Sequence, residues 1–162
     1  MSMLELILIA VGLVATTVIL HAVALAALIR VLIRRHVLDR SNPLHVILSM
    51  IGLTFGLLLV HFVDISVWGV FYSWQGCLPD VKNAFYFSGV TYTTLGYGDI
   101  VLPKEWRMLA PVETLTGVLM CGLSSGFFFA AVSRWISNRR QTEDAANLKV
   151  NISSRPSSEQ LH

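Results

Sequence analysis

Residues 93–99, which read Thr-Thr-Leu-Gly-Tyr-Gly-Asp, have the residue types that a chain needs to hold a bare cation with its own backbone. Rings of oxygen atoms can replace the hydration shell of a cation where the backbone is held open inside protein at membrane depth. Successive residues must then alternate between right-handed and left-handed dihedrals, and left-handed positions favour glycine. Gly96 and Gly98 stand at alternate positions. The segment therefore predicts a filter made of carbonyl oxygens.

Each residue of this filter segment has a predicted role. Thr94 adds a hydroxyl that would close the innermost ion site. The side chains of Leu95 and Tyr97 would point away from the axis, and the Tyr97 hydroxyl would tether the strand. Thr93 would support the segment, and Asp99 would place a carboxylate at its outer mouth. The predicted ion-binding carbonyls belong to five consecutive residues: Thr94, Leu95, Gly96, Tyr97 and Gly98.

The rest of the chain has the composition of a membrane protein. Hydrophobic residues make up 54% of the 162 residues and charged residues only 14%, against about a quarter charged in soluble proteins. Three apolar segments exceed the ~20 residues that cross a bilayer, whereas the apolar stretch before the filter is about a dozen residues long. We predict an all-α membrane protein with three transmembrane helices, a re-entrant pore helix and a filter loop.

Start and stop signals give the predicted boundaries. Pro43 stands at a helix start, and Asp80 is a helix N-cap. The chain divides into an N-terminal transmembrane helix at 1–30, a basic loop at 31–43, a pore module at 44–136 and a disordered tail at 137–162. The pore module divides into an outer helix at 44–71, a pore helix at 80–92, the filter at 93–99 and an inner helix at 108–136.

Basic residues predict the orientation in the membrane, because cytoplasmic loops carry an excess of Lys and Arg. The first loop and the segment after the third span contain most of them: Arg30, Arg34, Arg35, Arg40, Arg134, Arg139, Arg140, Lys149 and Arg155. The other side has Lys82, Lys104 and Arg107. The predicted N-terminus is therefore outside, with the first loop and the tail in the cytosol. We expect a multi-pass protein of the cell membrane, and a bacterial inner membrane fits so short a chain.

Residues 84–100 resemble the pore helix and signature filter of potassium channels. They read Ala-Phe-Tyr-Phe-Ser-Gly-Val-Thr-Tyr-Thr-Thr-Leu-Gly-Tyr-Gly-Asp-Ile. The resemblance covers about 44–135, the two-transmembrane pore module of that family, and the first span is additional. It implies a potassium-selective subunit that conducts K⁺ passively, with K⁺ at the filter carbonyls as the transported ion. We expect no cofactor.

The number of subunits follows from the geometry of a carbonyl ring. One chain provides one filter strand, and a ring needs four, so closed rotational symmetry predicts a homotetramer within the lipid bilayer. The four pore helices would point their partially negative C-terminal ends at a central cavity.

The inner helix contains glycines that suit either bending or close packing. Gly117 sits where related channels often carry a gating-hinge glycine. Packing by small residues is the alternative, above all for Gly122 and Gly126. With Gly117 at the hinge position, three residues of the same helix would face the cavity: Val118, Cys121 and Ser125.

Ionisable residues inside membrane spans are rare and often functional. His61 and Asp64 are three residues apart and share a helix face, and Glu113 would lie behind the pore helix. A structural hydrogen-bond network is the first interpretation of these three residues, and proton-sensitive modulation of the filter is the second. We assign His21, alone in the first span, to packing or snorkelling.

Several other classes of function remain as alternatives or are excluded. A non-conducting accessory or scaffold subunit and a non-selective cation channel are the two alternatives. We expect no enzyme, because no nucleophile, metal cluster or strong acid-base pair stands out. A net charge of +2 with basic residues at the membrane flanks excludes nucleic acid as a partner. Cys77 is expected to be a free external thiol, with a disulfide between subunits as the alternative.

Overall fold

The part of the chain that the structure describes folds into α-helices joined by non-helical segments. The computed structural model describes residues 2–34 and 43–153. Its helices are α1 (Met3–Arg34), α2 (Pro43–Trp74), α3 (Val81–Tyr92) and α4 (Leu109–Ser153). These described ranges contain no β-strand. The predicted all-α class is confirmed, and each helix begins within two residues of its predicted start.

Three of the helices are long and apolar enough to cross a membrane: Met3–Leu32, Ile47–Trp74 and Leu109–Ile152. Their outward faces carry large apolar side chains such as Leu59, Phe55 and Phe129. The three predicted spans are therefore confirmed by length and composition. The fourth helix, α3, has 12 residues and is about 18 Å long, too short for ~30 Å of hydrocarbon. Its re-entrant placement stays a prediction.

Capping fixes both ends of α3. Asp80 is the N-cap, and its carboxylate accepts a hydrogen bond from the amide of Asn83 at 2.8 Å. At the other end the amide of Thr93 donates to the carbonyl of Gly89 at 3.1 Å. Two further amides beyond the helix, those of Leu95 and Gly96, donate to the carbonyl of Val90 at 2.9 and 3.2 Å. The pore helix thus ends in hydrogen bonds from the filter segment itself.

Aromatic packing joins α2, α3 and the start of α4 at one end of the bundle. The side chains of Trp68 and Tyr72 are fully buried, and Tyr72 meets Phe87 edge to face with ring centroids 5.4 Å apart. Helix α1 belongs to the same core, because Trp68 Nε1 donates to Thr17 Oγ1 at 3.1 Å. The first span, additional to the resembled module, is therefore packed into the bundle.

Cys77 is part of this core. The structure records it as a free cysteine with only 5% of its surface exposed. Burial raises the pKa of its thiol, and the nearby carboxylate of Glu105 acts in the same direction. The described chain therefore presents a buried, protonated thiol at this position, and a disulfide between subunits would require it to become exposed.

The end of α4 corrects one prediction. The sequence predicted an inner helix that ends at 136 and a disordered tail from 137, whereas α4 continues to Ser153. No glycine or proline interrupts 137–153, and Arg139 Nε pairs with Glu143 Oε1 at 2.9 Å across one helical turn. Polarity there prevents core burial but does not stop the helix. The rest of the predicted tail, 154–162, and most of the basic loop lie outside the described residues.

Gly117 marks a close approach between α4 and the end of α3. A Cβ atom at this position would overlap the carbonyl oxygen of Tyr92 and lie 3.2 Å from its Cγ. By contrast, Gly122 and Gly126 have open space where a Cβ would be. The packing role that the sequence left open thus falls on Gly117, and α4 runs through it without a break. Its role as a gating hinge stays a prediction.

This contact generates a stability prediction. Gly117→Ala should lower the free energy of unfolding by about 1–3 kcal/mol, because the new methyl group must push apart two packed backbones. Gly122→Ala is the matched control and should be neutral or stabilising, since alanine is the better helix former. Equilibrium unfolding in mixed detergent micelles measures both. Equal stability of the two variants would contradict the close approach.

Candidate ion-conduction site

The backbone of the filter segment alternates in handedness. Thr94, Gly96 and Gly98 have φ angles of 64°, 57° and 76°, and the residues between them do not have positive φ. The sequence predicted left-handed angles at the two glycines. The sequence did not predict a left-handed angle at Thr94. Among the described residues, Thr94 is the one non-glycine residue with positive φ. A left-handed threonine costs roughly 1–2 kcal/mol, so this conformation must be imposed by its surroundings.

Hydrogen bonds at the end of α3 provide part of that constraint. The amide of Thr94 donates to the carbonyl of Thr91 at 3.0 Å, and the Thr93 hydroxyl donates to the carbonyl of Gly89 at 2.6 Å. Thr114 of α4 also donates through its hydroxyl to the Thr91 carbonyl, at 3.1 Å. The start of the filter segment is therefore fixed to the end of α3, and the supporting role of Thr93 in a filter stays a prediction.

The side chains of the filter segment are exposed on the single chain. Leu95 is 54% exposed and Tyr97 is 67% exposed. The predicted packing of these two side chains against pore helices is therefore not made within one chain. Neighbouring subunits would have to supply those contacts, and the packing stays a prediction.

The outer end of the filter segment is tied to α3. The carboxylate of Asp99 accepts a hydrogen bond from the Tyr86 hydroxyl at 2.8 Å. This bond raises the pKa of Tyr86, so the hydroxyl remains protonated as the donor. Sequence reasoning missed Tyr86, because thirteen residues and a helix terminus separate it from its partner. A polar aromatic residue on the pore helix next to an acidic filter end was the available signal.

Glu113 lies behind the pore helix, at the position predicted for it. Its carboxylate accepts hydrogen bonds from the hydroxyls of Tyr72 at 2.8 Å and Ser88 at 2.5 Å. All three residues are buried. One buried carboxylate thus connects α2, α3 and α4, and both of its oxygen atoms have a partner.

Asp64 is the centre of a second buried group, to which every helix contributes. Its Oδ2 atom lies 2.7 Å from His21 Nδ1 and accepts a hydrogen bond from the Tyr92 hydroxyl at 2.8 Å. The other ring nitrogen of His21, Nε2, lies 3.1 Å from Ser124 Oγ. The fifth member is His61, whose Nδ1 is 3.0 Å from the Tyr92 hydroxyl. We call these five residues the Asp64 network.

The Asp64 network corrects two expectations. The solitary His21 was assigned to packing or snorkelling, yet its side chain is fully buried and bonded at both nitrogens. The predicted pair of His61 and Asp64 is the longer contact, at 4.0 Å, because His21 and Tyr92 occupy the closer positions. Glu113 belongs to the other group. The decisive partner of Asp64 lies 43 residues away along the chain, where helix periodicity gives no signal.

The predicted cavity-facing residues of α4 lie on a face that its own chain leaves uncovered. Val118, Cys121 and Ser125 are all exposed. Cys121 and Ser125, together with His61 of α2, line a cavity of about 450 Å³ between the two helices. Whether this face borders the ion pathway depends on the assembly, so its cavity-facing role stays a prediction.

A non-helical segment of alternating backbone handedness follows the short helix α3, between two helices that are long and apolar enough to cross a membrane, and this is the arrangement expected of a membrane ion channel. The comparison with protein families agrees, since the family model described as "Ion channel" matches residues 58–134. This match takes in the second half of α2, all of α3, the filter segment and the first half of α4. Residues 58–134 of the chain are therefore similar to the ion-channel family, and the predicted resemblance is confirmed over these residues.

The family match is a match to ion-transporting proteins rather than to enzymes, and it leaves α1 outside its limits. Neither the comparison with curated proteins nor the comparison with solved structures found a match.

The Asp64 network generates a second stability prediction. His21→Ala should lower the free energy of unfolding by about 3–5 kcal/mol, because the buried carboxylate of Asp64 loses its closest partner. Thr16→Ala is the control on the same helix. Thr16 is exposed and its hydroxyl bonds to the Gly12 carbonyl one turn earlier, so its removal should change stability by no more than about 0.5 kcal/mol. Unfolding in mixed micelles separates the two, and equal losses would refute a tether between α1 and Asp64.

Proposed function

We propose that this protein is one subunit of a potassium-selective channel, which conducts K⁺ passively through a fourfold filter of backbone carbonyls. The observation that carries the proposal is the alternation of positive φ at Thr94, Gly96 and Gly98, within a Thr-Thr-Leu-Gly-Tyr-Gly-Asp segment. That backbone is the one that brings successive carbonyls to a common side. Its position inside the matched residues 58–134 supports the same conclusion.

The mechanism is electrostatic. The carbonyl oxygens of residues 94–98 from four chains would form stacked rings that replace the hydration shell of K⁺, and the Thr94 hydroxyls would complete the innermost ring. Helix α3 ends directly before these rings. Four such helix ends would turn partial negative charge towards the entering cation. No covalent step is required, and no cofactor is involved.

A homotetramer follows from the same proposal. A single strand offers one oxygen per ring, and four copies related by closed rotational symmetry complete each ring with identical contacts. The exposure of Leu95 and Tyr97 supports assembly, because two large side chains next to a strained backbone would gain burial against neighbouring subunits. We propose a multi-pass cell-membrane protein with its N-terminus outside, in agreement with the distribution of Lys and Arg.

Potassium rather than a broader set of cations is supported by the intact Gly-Tyr-Gly sequence at 96–98. The same intact filter segment weighs against a non-conducting accessory subunit, because such a subunit has no need for the strain at Thr94. A flux measurement tests the proposal against the accessory subunit, and a reversal-potential measurement tests it against the non-selective cation channel.

K⁺ flux into liposomes that contain the purified protein tests the proposal. The wild type should give flux that Ba²⁺ blocks, and Gly96→Ala should abolish it, since alanine resists the positive φ in every subunit. Gly89→Ala is the matched control. It lies in α3 with open space for a methyl group, so flux should persist.

Two outcomes would contradict the proposal. Absence of flux in the wild type at several pH values and voltages would favour an accessory subunit. Flux that persists unchanged in Gly96→Ala would mean that ions cross by a route other than the filter segment.

A further inference from the structure

Three side chains of types that bind metals meet inside the membrane-spanning part of the protein. His21 comes from α1, and His61 and Asp64 come from α2. One ligand atom from each lies within 4.8 Å of the other two. His21 and Asp64 are fully buried, and the His61 side chain is 17% exposed. Conduction through the filter uses none of these groups as ion ligands, so they are available to bind a different ion.

We propose that His21, His61 and Asp64 form a binding site for a divalent transition-metal ion, with Zn²⁺ as the best-suited ion. Two imidazole nitrogens and one carboxylate oxygen are ligands that Zn²⁺ commonly takes. With bonds of about 2.0–2.2 Å and tetrahedral angles, neighbouring ligand atoms lie about 3.4 Å apart. Asp64 Oδ2 is now 2.7 Å from His21 Nδ1 and 4.0 Å from His61 Nδ1. Both separations from Asp64 Oδ2 are therefore within about 0.7 Å of the tetrahedral value, and the ligand atoms of the two histidines lie within 4.8 Å of each other.

The carboxylate of Asp64 has unused capacity for such an ion. Its Oδ1 atom is buried. Among the residues that the structure describes, it is the one buried side-chain nitrogen or oxygen atom without a hydrogen-bond partner. An unpaired carboxylate oxygen buried among apolar helices is costly, and a bound divalent cation would offset that cost. The orphan oxygen also offers a further ligand atom to the ion.

The surroundings orient the imidazole of His21 for this role. Its Nδ1 faces Asp64, while its Nε2 lies 3.1 Å from Ser124 Oγ. Histidine ligands typically bind the metal through one nitrogen and hydrogen-bond through the other, which fixes the tautomer and the ring orientation. Ser124 supplies that second contact from α4. The site thus has ligands from α1 and α2 and an outer hydrogen bond from α4.

An ion can reach the site through the cavity between α2 and α4. His61 lines this cavity of about 450 Å³, beside Cys121 and Ser124. His61 is therefore the ligand at the entrance, and Asp64 and His21 lie behind it. A partly exposed histidine in front of the buried His21–Asp64 pair gives the arrangement an entry path, which a permanently closed hydrogen-bond network would not need.

Metal binding at this site would act on the filter through Tyr92. The Tyr92 hydroxyl now contacts Asp64 Oδ2 at 2.8 Å and His61 Nδ1 at 3.0 Å, and an ion would take both atoms from it. Tyr92 is the last residue of α3, two residues before the strained Thr94. We therefore expect Zn²⁺ to reduce K⁺ flux. This consequence rests on the proposed channel function, whereas the binding itself does not.

Titration of the full-length, chelator-stripped, tag-free protein with Co²⁺ tests the binding directly. The wild type should take up one Co²⁺ per chain, with the visible absorption bands of a four-coordinate ion, and Zn²⁺ should displace it. His61→Gln and Asp64→Asn should each weaken binding by about tenfold or more, since outer partners alone account for about 10–100-fold. Glu113→Gln is the matched control, because it changes a buried carboxylate of the neighbouring group and should leave affinity unchanged.

Circular dichroism and gel filtration verify that each variant is folded, and the His61→Gln change at the partly exposed ligand is the least disruptive. Wild-type uptake far below one ion per chain would overturn the site. So would uptake that His61→Gln and Asp64→Asn leave unchanged, because the ion would then be bound elsewhere.

A flux assay with added Zn²⁺ tests the consequence separately. Zn²⁺ should lower wild-type K⁺ flux at least severalfold and should have little effect on His61→Gln. Co²⁺ binding without any K⁺ flux in the wild type would refute the proposed function and leave the site standing. Unaltered flux in the Zn²⁺-loaded wild type would refute the link from the site to the filter.

Discussion

A backbone that is neither helix nor closed sheet can exist at membrane depth only where surrounding protein holds it, because lipid offers it no hydrogen bonds. In this protein the contacts that hold the start of the filter segment converge on Tyr92, the last residue of α3. Its carbonyl packs against Gly117 of α4, where a side chain has no room. Its hydroxyl bonds to Asp64 of α2, which in turn contacts His21 of α1. All the other described helices therefore help to determine where the filter segment begins.

This arrangement explains why two carboxylates are buried in apolar helices. Asp64 and Glu113 each accept a hydrogen bond from a tyrosine hydroxyl, and each connects three helices or more. Buried ionisable groups seldom increase stability over well-packed apolar residues, so their value here is in fixing positions. The N-terminal helix gains a purpose by the same argument. It supplies His21 and Thr17 to buried hydrogen bonds and is part of the support around the pore module.

Features with a local cause could be predicted from the sequence. Hydropathy gives the three spans, Asp80 marks the start of α3, and alternate glycines reveal the left-handed positions 96 and 98. Other features depend on contacts that only the folded chain creates. The strain at Thr94 is imposed by its neighbours. The hydrogen bond between His21 and Asp64 joins α1 to α2, and no hydrophobic periodicity in the sequence indicates that pairing. The extension of α4 to Ser153 has no hydropathy signal, because the polar residues of 137–153 prevent burial, yet this segment contains no glycine or proline that would end a helix.

We propose that the strained filter segment at 94–98 selects K⁺. The reversal potential of purified protein in a planar bilayer, with K⁺ on one side and Na⁺ at equal concentration on the other, tests that claim most directly. We predict a reversal potential displaced in the direction of K⁺ selectivity, by about 59 mV for each tenfold preference over Na⁺. A conducting channel whose current reverses near zero would contradict the account and identify a non-selective cation pore.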